Sequence, residues 1–318
     1  MSTVSAYKGF LAGMTCRGFQ YKVGEEYKVN GNVSLCVNGF HAVTVPFDVW
    51  SYYAPQFSVY ARVELDEVLS QKSPDTKIVG GVIRILNTLS LQEMIAAQAA
   101  MNGEDARPLA TVEPHGHAAT IGGNCAVAVV GDGSHAGTVG GKSPAIAAYD
   151  LSHAVTTGKR SPAVTTGSHS SSITAGDHSH AIAAGECACA ESKGRRAHAV
   201  VTGDSSVAET AGIEANAVGV GTHCVVHTNS AESHACVTGR YSTAGAKGKN
   251  SIAMAIGSEG WARAGEGGAI CLAAIGDDGK ILAIRASLVG ENGICAGTYY
   301  RLGADGEFVA ARWQETGE

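Results

Sequence analysis

Aromatic side chains are scarce in this sequence: Phe, Trp and Tyr together make up 6% of its 318 residues. Large side chains normally fill the wide core of a globular enzyme. Their scarcity, beside 42 glycines and many alanines and serines, therefore predicts a narrow core filled by small side chains.

The sequence also lacks any apolar run approaching the roughly 20 residues that span a bilayer, and it has no signal-peptide pattern. Its net charge of −6 gives no electrostatic reason to expect a nucleic acid or an anionic membrane as partner. The nine cysteines form no disulfide framework, and we interpret them as reduced core residues. These absences favour a cytoplasmic protein that binds neither nucleic acid nor membrane.

Residues 1–107 have an ordinary globular composition and predict a small α+β domain. The alternating segments SVYARVELDEV and KIVGGVIRIL are typical of strands. A helix is predicted to start near Pro46. A second helix is predicted after the capping box of Ser90 and Glu93.

Residues 108–274 contain a nine-residue repeat that runs without a gap from 113 to 274. Glycine takes the first place in 14 of the 18 nonads, and small side chains take the fourth, sixth and eighth places in most of them. Such periodicity predicts a parallel β-solenoid, in which glycine turns each corner and the small side chains point inward.

The fifth place of the nonad indicates that one coil takes two nonads, which is a coil period of 18. His117, His135 and His153 recur at every second nonad, and Pro144 and Pro162 have the same spacing in the alternate nonads. Because equivalent residues stack on successive coils, we predict a two-sided solenoid of about nine coils, roughly 43 Å long at about 4.8 Å per strand. We interpret the three histidines as a solvated ladder that holds no metal.

The seventh place distinguishes the two sides of the solenoid. On one side it is apolar throughout, in a series that ends at Leu272, whereas the other side carries Glu191 and Glu209. An outward apolar strip is typical of a partner-binding surface. We therefore predict a homo-oligomer whose interface contains Ile146, Val164, Ile182, Val200, Val218 and Met254.

Residues 275–318 leave the repeat and predict two β-hairpins. Their turns are expected at Asp278–Gly279 and Asp305–Gly306. Since an open solenoid end exposes an unpaired strand edge, we expect these hairpins to cap it.

Motifs along most of the chain resemble a group of phage-encoded proteins of uncharacterised function. They are KGF at 8–10, CRGFQY at 16–21, GFHA at 39–42, the pair Tyr52 and Tyr53, and YYRLGADGEF at 299–308. In a phage setting the resemblance implies a scaffold in the host cytoplasm that captures a host defence protein or a small signalling nucleotide. A structural part of the virion is an alternative.

The repeat alone also resembles the β-roll heads of trimeric autotransporter adhesins, which trimerise through one face. Their coil length differs from the two-nonad coil found here. The number of copies in an oligomer is therefore not implied by this resemblance.

The order of motifs in residues 1–107 is similar to that of small ADP-ribosyltransferase-like folds. This similarity places Lys8 where those enzymes have an Arg or a His, and it makes Glu64 the candidate for their catalytic Glu. A transferase acting on NAD or ADP-ribose is therefore a second alternative. Because the pattern departs at both positions, we favour a non-enzymatic protein without catalytic residues or cofactor, and we assign ligand binding to Lys8, Arg17, His41 and Tyr52.

Two cysteines near His41 raise the question of a metal or nucleophilic site. Cys16 and Cys36 have spacings that match no zinc motif. We interpret both as core residues and predict no metal site.

Overall fold

The computed structural model describes residues 3–31, 33, 38–70, 76–102 and 109–311. The protein is mainly β, with an N-terminal sheet, a parallel solenoid of about nine coils and two closing hairpins. The predicted fold class is confirmed. Within these described ranges, no helix is long and apolar enough to cross a membrane.

The N-terminal domain is built around an antiparallel sheet. Its described strands are β1 (Val4–Phe10), β2 (Thr15–Cys16), β3 (Phe19–Gln20), β4 (Glu26–Lys28), β5 (Phe40–Val43), β6 (Val59–Asp66), β7 (Leu69–Ser70), β8 (Lys77–Gly80) and β9 (Val82–Leu89). Seven of them form one sheet in the order β4-β9-β6-β1-β5-β8-β7, while β2 and β3 form a separate hairpin. A 3-10 helix covers Pro46–Ser51, and α1 covers Leu91–Asn102.

Helix α1 begins at the capping box that the sequence indicates. The backbone N–H and the hydroxyl of Ser90 donate to the Glu93 carboxylate at 2.7 and 2.8 Å, and the backbone N–H of Glu93 donates to Ser90 Oγ at 3.2 Å. These bonds satisfy amide groups that have no partner within the first helical turn.

The solenoid alternates between two sheets, which we name the open sheet and the docked sheet. The parallel strands of the open sheet are β10 (Leu109–Thr111), β12 (Val127–Val130), β14 (Ala145–Ala148), β16 (Ala163–Thr166), β18 (His180–Ala184), β20 (His198–Thr202), β22 (Ala217–Val220), β24 (Ala235–Thr238), β26 (Ile252–Ile256) and β28 (Ala269–Ile275). Those of the docked sheet are β11 (His117–Ile121), β13 (His135–Val139), β15 (His153–Thr156), β17 (Ser171–Thr174), β19 (Cys189–Ser192), β21 (Val207–Thr210), β23 (Val225–Thr228), β25 (Thr243–Ala246) and β27 (Trp261–Ala264).

Residues 18 apart are strand neighbours, as the two-nonad coil requires. His135 pairs with His153, and Ile146 pairs with Val164. Between the sheets lies a column of small buried side chains from the fourth, sixth and eighth places of the nonads. The predicted inward positions are confirmed.

Buried serines of the fourth place join neighbouring coils. Ser161 donates its hydroxyl to the carbonyl of Gly140 at 2.9 Å, and its backbone N–H donates to Ser179 Oγ at 2.9 Å. The same pattern recurs at Ser143. Each hydroxyl thereby satisfies polar groups that would otherwise be buried without a partner.

The corner glycines are explained by close approach as well as by backbone angle. A Cβ on Gly158 would lie only 1.7 Å from the carbonyl oxygen of Gly140, one coil earlier. The left-handed conformation falls repeatedly at the third place of the nonad, for example at Arg160 and His178, both with φ of 56°. Positive φ alone is therefore an incomplete reason for the glycine repeat.

The last coil is one residue shorter than the repeat predicts. Ile252 pairs with Ala269, and Met254 therefore pairs with Cys271. Leu272 is completely buried. The expectations of a gapless repeat and of an outward Leu272 are wrong, because the turn before β28 has lost one residue.

The described part of the chain closes with two hairpins, as predicted. β29 (Ile281–Leu288) pairs antiparallel with β28, across a turn that contains Asp278 and Gly279. β30 (Tyr300–Leu302) and β31 (Phe308–Ala310) form the second hairpin, which extends the docked sheet beyond β27.

Candidate functional site

A cavity of about 390 Å³ opens in the N-terminal domain. It is lined by β1, the β2–β3 hairpin, β5 and the segment that follows the 3-10 helix. The four residues assigned to ligand binding from the sequence, Lys8, Arg17, His41 and Tyr52, all line this one cavity.

Lys8 is the most buried cation of the cavity, with 6% of its surface exposed. Its Nζ donates to the carbonyl oxygen of His41 at 2.8 Å and lies 5.5 and 5.8 Å from the ring centroids of Phe10 and Tyr21. Burial is the main cause that lowers the pKa of Lys8, and Cys16 opposes the shift. The domain therefore holds a desolvated lysine amine, with a lowered pKa, beside the cavity.

Three further basic groups surround Lys8. Arg17 lies exposed in the β2–β3 turn with φ of 50°, and the Nζ of Lys77 lies 4.6 Å from the ring centroid of Tyr52. Burial, followed by the charges of Lys77, Lys8 and Arg17, lowers the pKa of His41. The cations Lys8, Arg17 and Lys77 thus come from three separate segments, and the lowered pKa favours a neutral imidazole at His41.

Aromatic rings form the other part of the lining. Phe19 and Tyr52 are each 48% exposed, and Phe19 meets Tyr21 edge-on at 4.8 Å between centroids. Tyr53 packs so closely on β1 that a Cβ on Gly9 would lie 2.5 Å from it. Two rings are therefore partly exposed at the cavity, while others hold the wall in place.

Lys77, Phe19 and Tyr21 were missed by the sequence reasoning. Lys77 reaches the cavity because β8 pairs with β5, with Lys77 opposite Val43. This pairing joins segments that are distant in the sequence and leaves no local signal. Phe19 and Tyr21 belong to the CRGFQY motif, which was an available signal.

No Asp or Glu lines the cavity among the described residues. Glu64 pairs with Ser5 across β1 and β6. Lys8 is three residues beyond Ser5, so the side chains of Glu64 and Lys8 leave opposite faces of the sheet. Glu64 instead lies 4.0 Å from Arg84.

The cysteines of the domain form no cluster in the described region. Cys16 Sγ lies 3.0 Å from the hydroxyl of Tyr53, and Cys36 lies outside the described residues. Within the described ranges there is no disulfide-bonded cysteine and no group of three or more His, Cys, Asp or Glu able to hold a metal ion.

The histidine ladder is buried beneath the N-terminal domain, so the expected solvated ladder is wrong. His117 and His135 stack with centroids 4.9 Å apart, and His135 and His153 with centroids 5.0 Å apart. Asp48 Oδ1 lies 2.6 Å from His117 Nε2, and Ser51 Oγ lies 3.2 Å from His135 Nε2. The 3-10 helix covers the ladder.

The same packing covers the first four coils of the docked sheet. Phe47 and Ile95 belong to one buried cluster with Val155 and Ile173 of the solenoid. A Cβ on Gly137 would lie 2.6 Å from Phe47, so this glycine permits the close contact. The cavity domain is therefore attached to the solenoid by a shared apolar core.

Residues 4–97 match the model of a family described as a domain of unknown function, DUF7666. The chain carries a DUF7666 domain at its N-terminus. No curated protein and no solved structure matches the chain. The described cavity lining, from Tyr7 to Lys77, lies entirely within the DUF7666 domain.

Proposed function

We propose that this protein is a non-enzymatic binding protein whose DUF7666 domain captures a small organic anion with a planar ring, of the nucleotide class. The observation that carries the proposal is the lining of the cavity, where Lys8, Arg17 and Lys77 lie beside the exposed rings of Phe19 and Tyr52. Lysine and arginine bind phosphate through charge-assisted hydrogen bonds. Aromatic faces stack on any nucleobase.

The burial of Lys8 favours an anionic ligand for a physical reason. An ammonium group removed from water loses hydration, and a nearby negative charge offsets that loss. Electrostatic attraction is also stronger in a partly enclosed site than in bulk water. A phosphate near Lys8 would therefore gain more than one held by an exposed surface lysine.

We propose capture rather than turnover, and the described lining supports this proposal because it contains no Asp or Glu. Group transfer from NAD normally relies on a carboxylate that stabilises or activates the reacting groups. Glu64, the candidate from the transferase resemblance, leaves the opposite face of the sheet from Lys8. The transferase alternative therefore has no carboxylate among the described residues that line this cavity.

The setting of this proposal rests on the motifs shared with phage-encoded proteins. In an infected cell, a scaffold of this kind would sequester a host signalling nucleotide and thereby blunt a defence response. A host defence protein is the macromolecular alternative. Detection of the protein in purified virions would instead favour a structural role.

The test is to measure binding and turnover together. We expect denaturation of the purified protein to release a phosphate-containing small molecule, which mass spectrometry would identify. Calorimetry with mono- and dinucleotides should show saturable binding. NAD should remain intact during prolonged incubation. Consumption of NAD by the wild-type protein, lost in Lys8→Ala, would overturn the proposal in favour of a transferase.

Removal of either outer cation should weaken nucleotide binding. Because a charge-assisted hydrogen bond contributes roughly 1.5–3 kcal/mol, Arg17→Ala and Lys77→Ala should each raise Kd by about 10- to 100-fold. Lys22→Ala is the matched control, since Lys22 is exposed and lies outside the cavity lining. Equal losses in all three variants would show that net charge, rather than the cavity, determines binding.

A further inference from the structure

We infer that the open sheet is an interface between two copies of this chain. Its outward side chains, which we name the apolar face, occupy the fifth, seventh and ninth places of the nonads along β12 to β26. In β28, where the coil is one residue shorter, they are Ala269, Cys271 and Ala273. None of these positions, between residues 126 and 273, carries Asp, Glu, Lys or Arg. This interface is independent of the ligand cavity and goes beyond the proposed function.

Large aliphatic side chains of the apolar face are exposed in the single chain. The exposed fractions are 43% for Ile146, 38% for Ile182, 47% for Val220, 41% for Ile252 and 39% for Ile256. They recur along the whole sheet rather than as single residues. Only the seventh-place row is apolar without interruption, because the fifth place also carries His180, His198, Asn216 and His234. An exposed apolar row of this length marks an interaction site.

The opposite side of the solenoid provides an internal comparison. On the docked sheet, the outward residues Val155 and Ile173 are buried by the N-terminal domain of the same chain. Beyond this covered region, the docked sheet carries Glu191, Glu209 and Arg263 in the seventh place. One part of the docked sheet is thus covered by the N-terminal domain, and the rest carries charged outward side chains. The apolar face has neither a covering domain nor charged side chains.

β29 extends the apolar face beyond the last coil. Ala286 pairs with Cys271, which is outward next to Met254. Ile284 and Leu288 are two residues to either side of Ala286, so they project from the same face. They are 59% and 53% exposed.

The area of the apolar face can be compared with the area that known protein interfaces bury. Nine strands at about 4.8 Å and five residues at about 3.3 Å give a rectangle of roughly 40 by 13 Å. Two such faces bury roughly 1,000 Å² in total if each is treated as a flat rectangle, without the additional area of projecting side chains. This total reaches the lower bound for a specific interface.

A second copy fits this surface better than a different partner because the face carries no Asp, Glu, Lys or Arg that would select an oppositely charged partner. A two-fold pair matches this face with an identical face. The N-terminal domain packs on the docked sheet, on the opposite side of the solenoid, and does not obstruct the contact. In any two-fold arrangement in which the nine parallel strands β12 to β28 overlap fully, their middle strand β20 lies opposite β20 of the second copy.

The first test is the mass of the full chain in solution. We expect light scattering at tens of micromolar to give twice the monomer mass of 32.4 kDa, and Val164→Glu with Val200→Glu to give the monomer mass. Lys247→Glu is the control, because Lys247 is exposed on the docked sheet and its replacement changes the net charge as much as the two Val→Glu substitutions do. This variant should remain dimeric. A monomeric wild-type protein, or a trimer, would overturn the inference.

A second test does not require the double variant to fold. The background for this test carries Ser in place of the outward cysteines Cys236 and Cys271 and of the exposed Cys187 and Cys295. Under mild oxidation Val200→Cys in this background should form a covalent dimer in high yield, because β20 lies opposite itself, whereas the background protein alone should not. Ile146→Cys then separates the two orientations, since only parallel solenoids bring residue 146 opposite itself. Absence of the Val200→Cys dimer, with wild-type circular dichroism, would exclude this two-fold pairing.

Discussion

Gly158→Ala should disrupt the middle of the solenoid. The new Cβ would lie 1.7 Å from the carbonyl oxygen and 2.3 Å from the carbonyl carbon of Gly140, and the obstacle is backbone rather than a flexible side chain. The two coils must move apart, and the strand hydrogen bonds at this level are lost. We expect the free energy of unfolding to fall by on the order of 4 kcal/mol or more, as measured by urea denaturation with circular dichroism.

Gly141→Ala is the matched control for this substitution. Gly141 is in the neighbouring coil corner, and the nearest atom to its new Cβ would be the Lys159 carbonyl oxygen at 3.6 Å, an ordinary contact. Its stability should therefore stay close to that of the wild-type protein. If both variants unfolded at the same urea concentration, the close stacking of the corners would not be the reason for the glycine repeat.

Acidification should destabilise the attachment of the DUF7666 domain to the solenoid. Burial lowers the pKa of His153 from 6.5 to about 4, and burial together with His153 and His117 lowers the pKa of His135 well below 6.5. Both imidazoles are neutral in the folded protein and become charged on unfolding below pH 6.5. Stability from His153 is therefore complete above pH 6.5 and is lost as the pH falls towards 4, by about 3 kcal/mol.

Asp48 acts in a different pH range at the same contact. Burial alone would raise the pKa of its carboxyl, but hydrogen bonds from His117 and Thr76 bring the pKa below its ordinary value of 3.8. Stability from Asp48 is present above that value and is lost only as the pH falls further. The loss between pH 6.5 and 4 therefore belongs to the histidines.

The measurement is urea denaturation between pH 7.5 and 4 in a Trp261→Phe, Trp313→Phe background. The remaining fluorescence then comes from Trp50, which stacks on Phe47 at 4.0 Å between centroids. His153→Gln removes one buried titrating group and should flatten the pH dependence by about 3 kcal/mol. His169→Gln, at an exposed corner of the solenoid, should keep the wild-type profile. A wild-type stability that does not change over this range would contradict the assignment.

The solenoid could be predicted from the sequence because its contacts repeat locally. The spacing of His135 and His153 gives the coil length, and the small side chains of the nonad define the interior. What periodicity could not predict was the covering of one sheet by the N-terminal domain. That contact depends on Phe47 and Ile95, whose sequence pattern does not differ from that of ordinary core residues. The contact also means that the histidine ladder is buried rather than solvated.

The candidate site was predictable to a similar extent. Lys8, Arg17, His41 and Tyr52 were identified from motifs, and the structure places them around one cavity. Lys77 was not identified, because only the pairing of β5 with β8 brings it there. Glu64 was the candidate for a catalytic Glu because of the order of motifs along the chain. The strand register instead places its side chain on the opposite face of the sheet from Lys8.

The coil of two nonads also determines how this chain can change in length. Each coil contacts only its neighbours. Removal of two nonads beyond the part covered by the DUF7666 domain would therefore leave every remaining strand in its own sheet and shorten the molecule by about 4.8 Å. Removal of a single nonad would instead exchange the two sheets and place Glu209 or Arg263 on the side that is now uncharged. The molecule can therefore act as a spacer whose length changes only in whole coils.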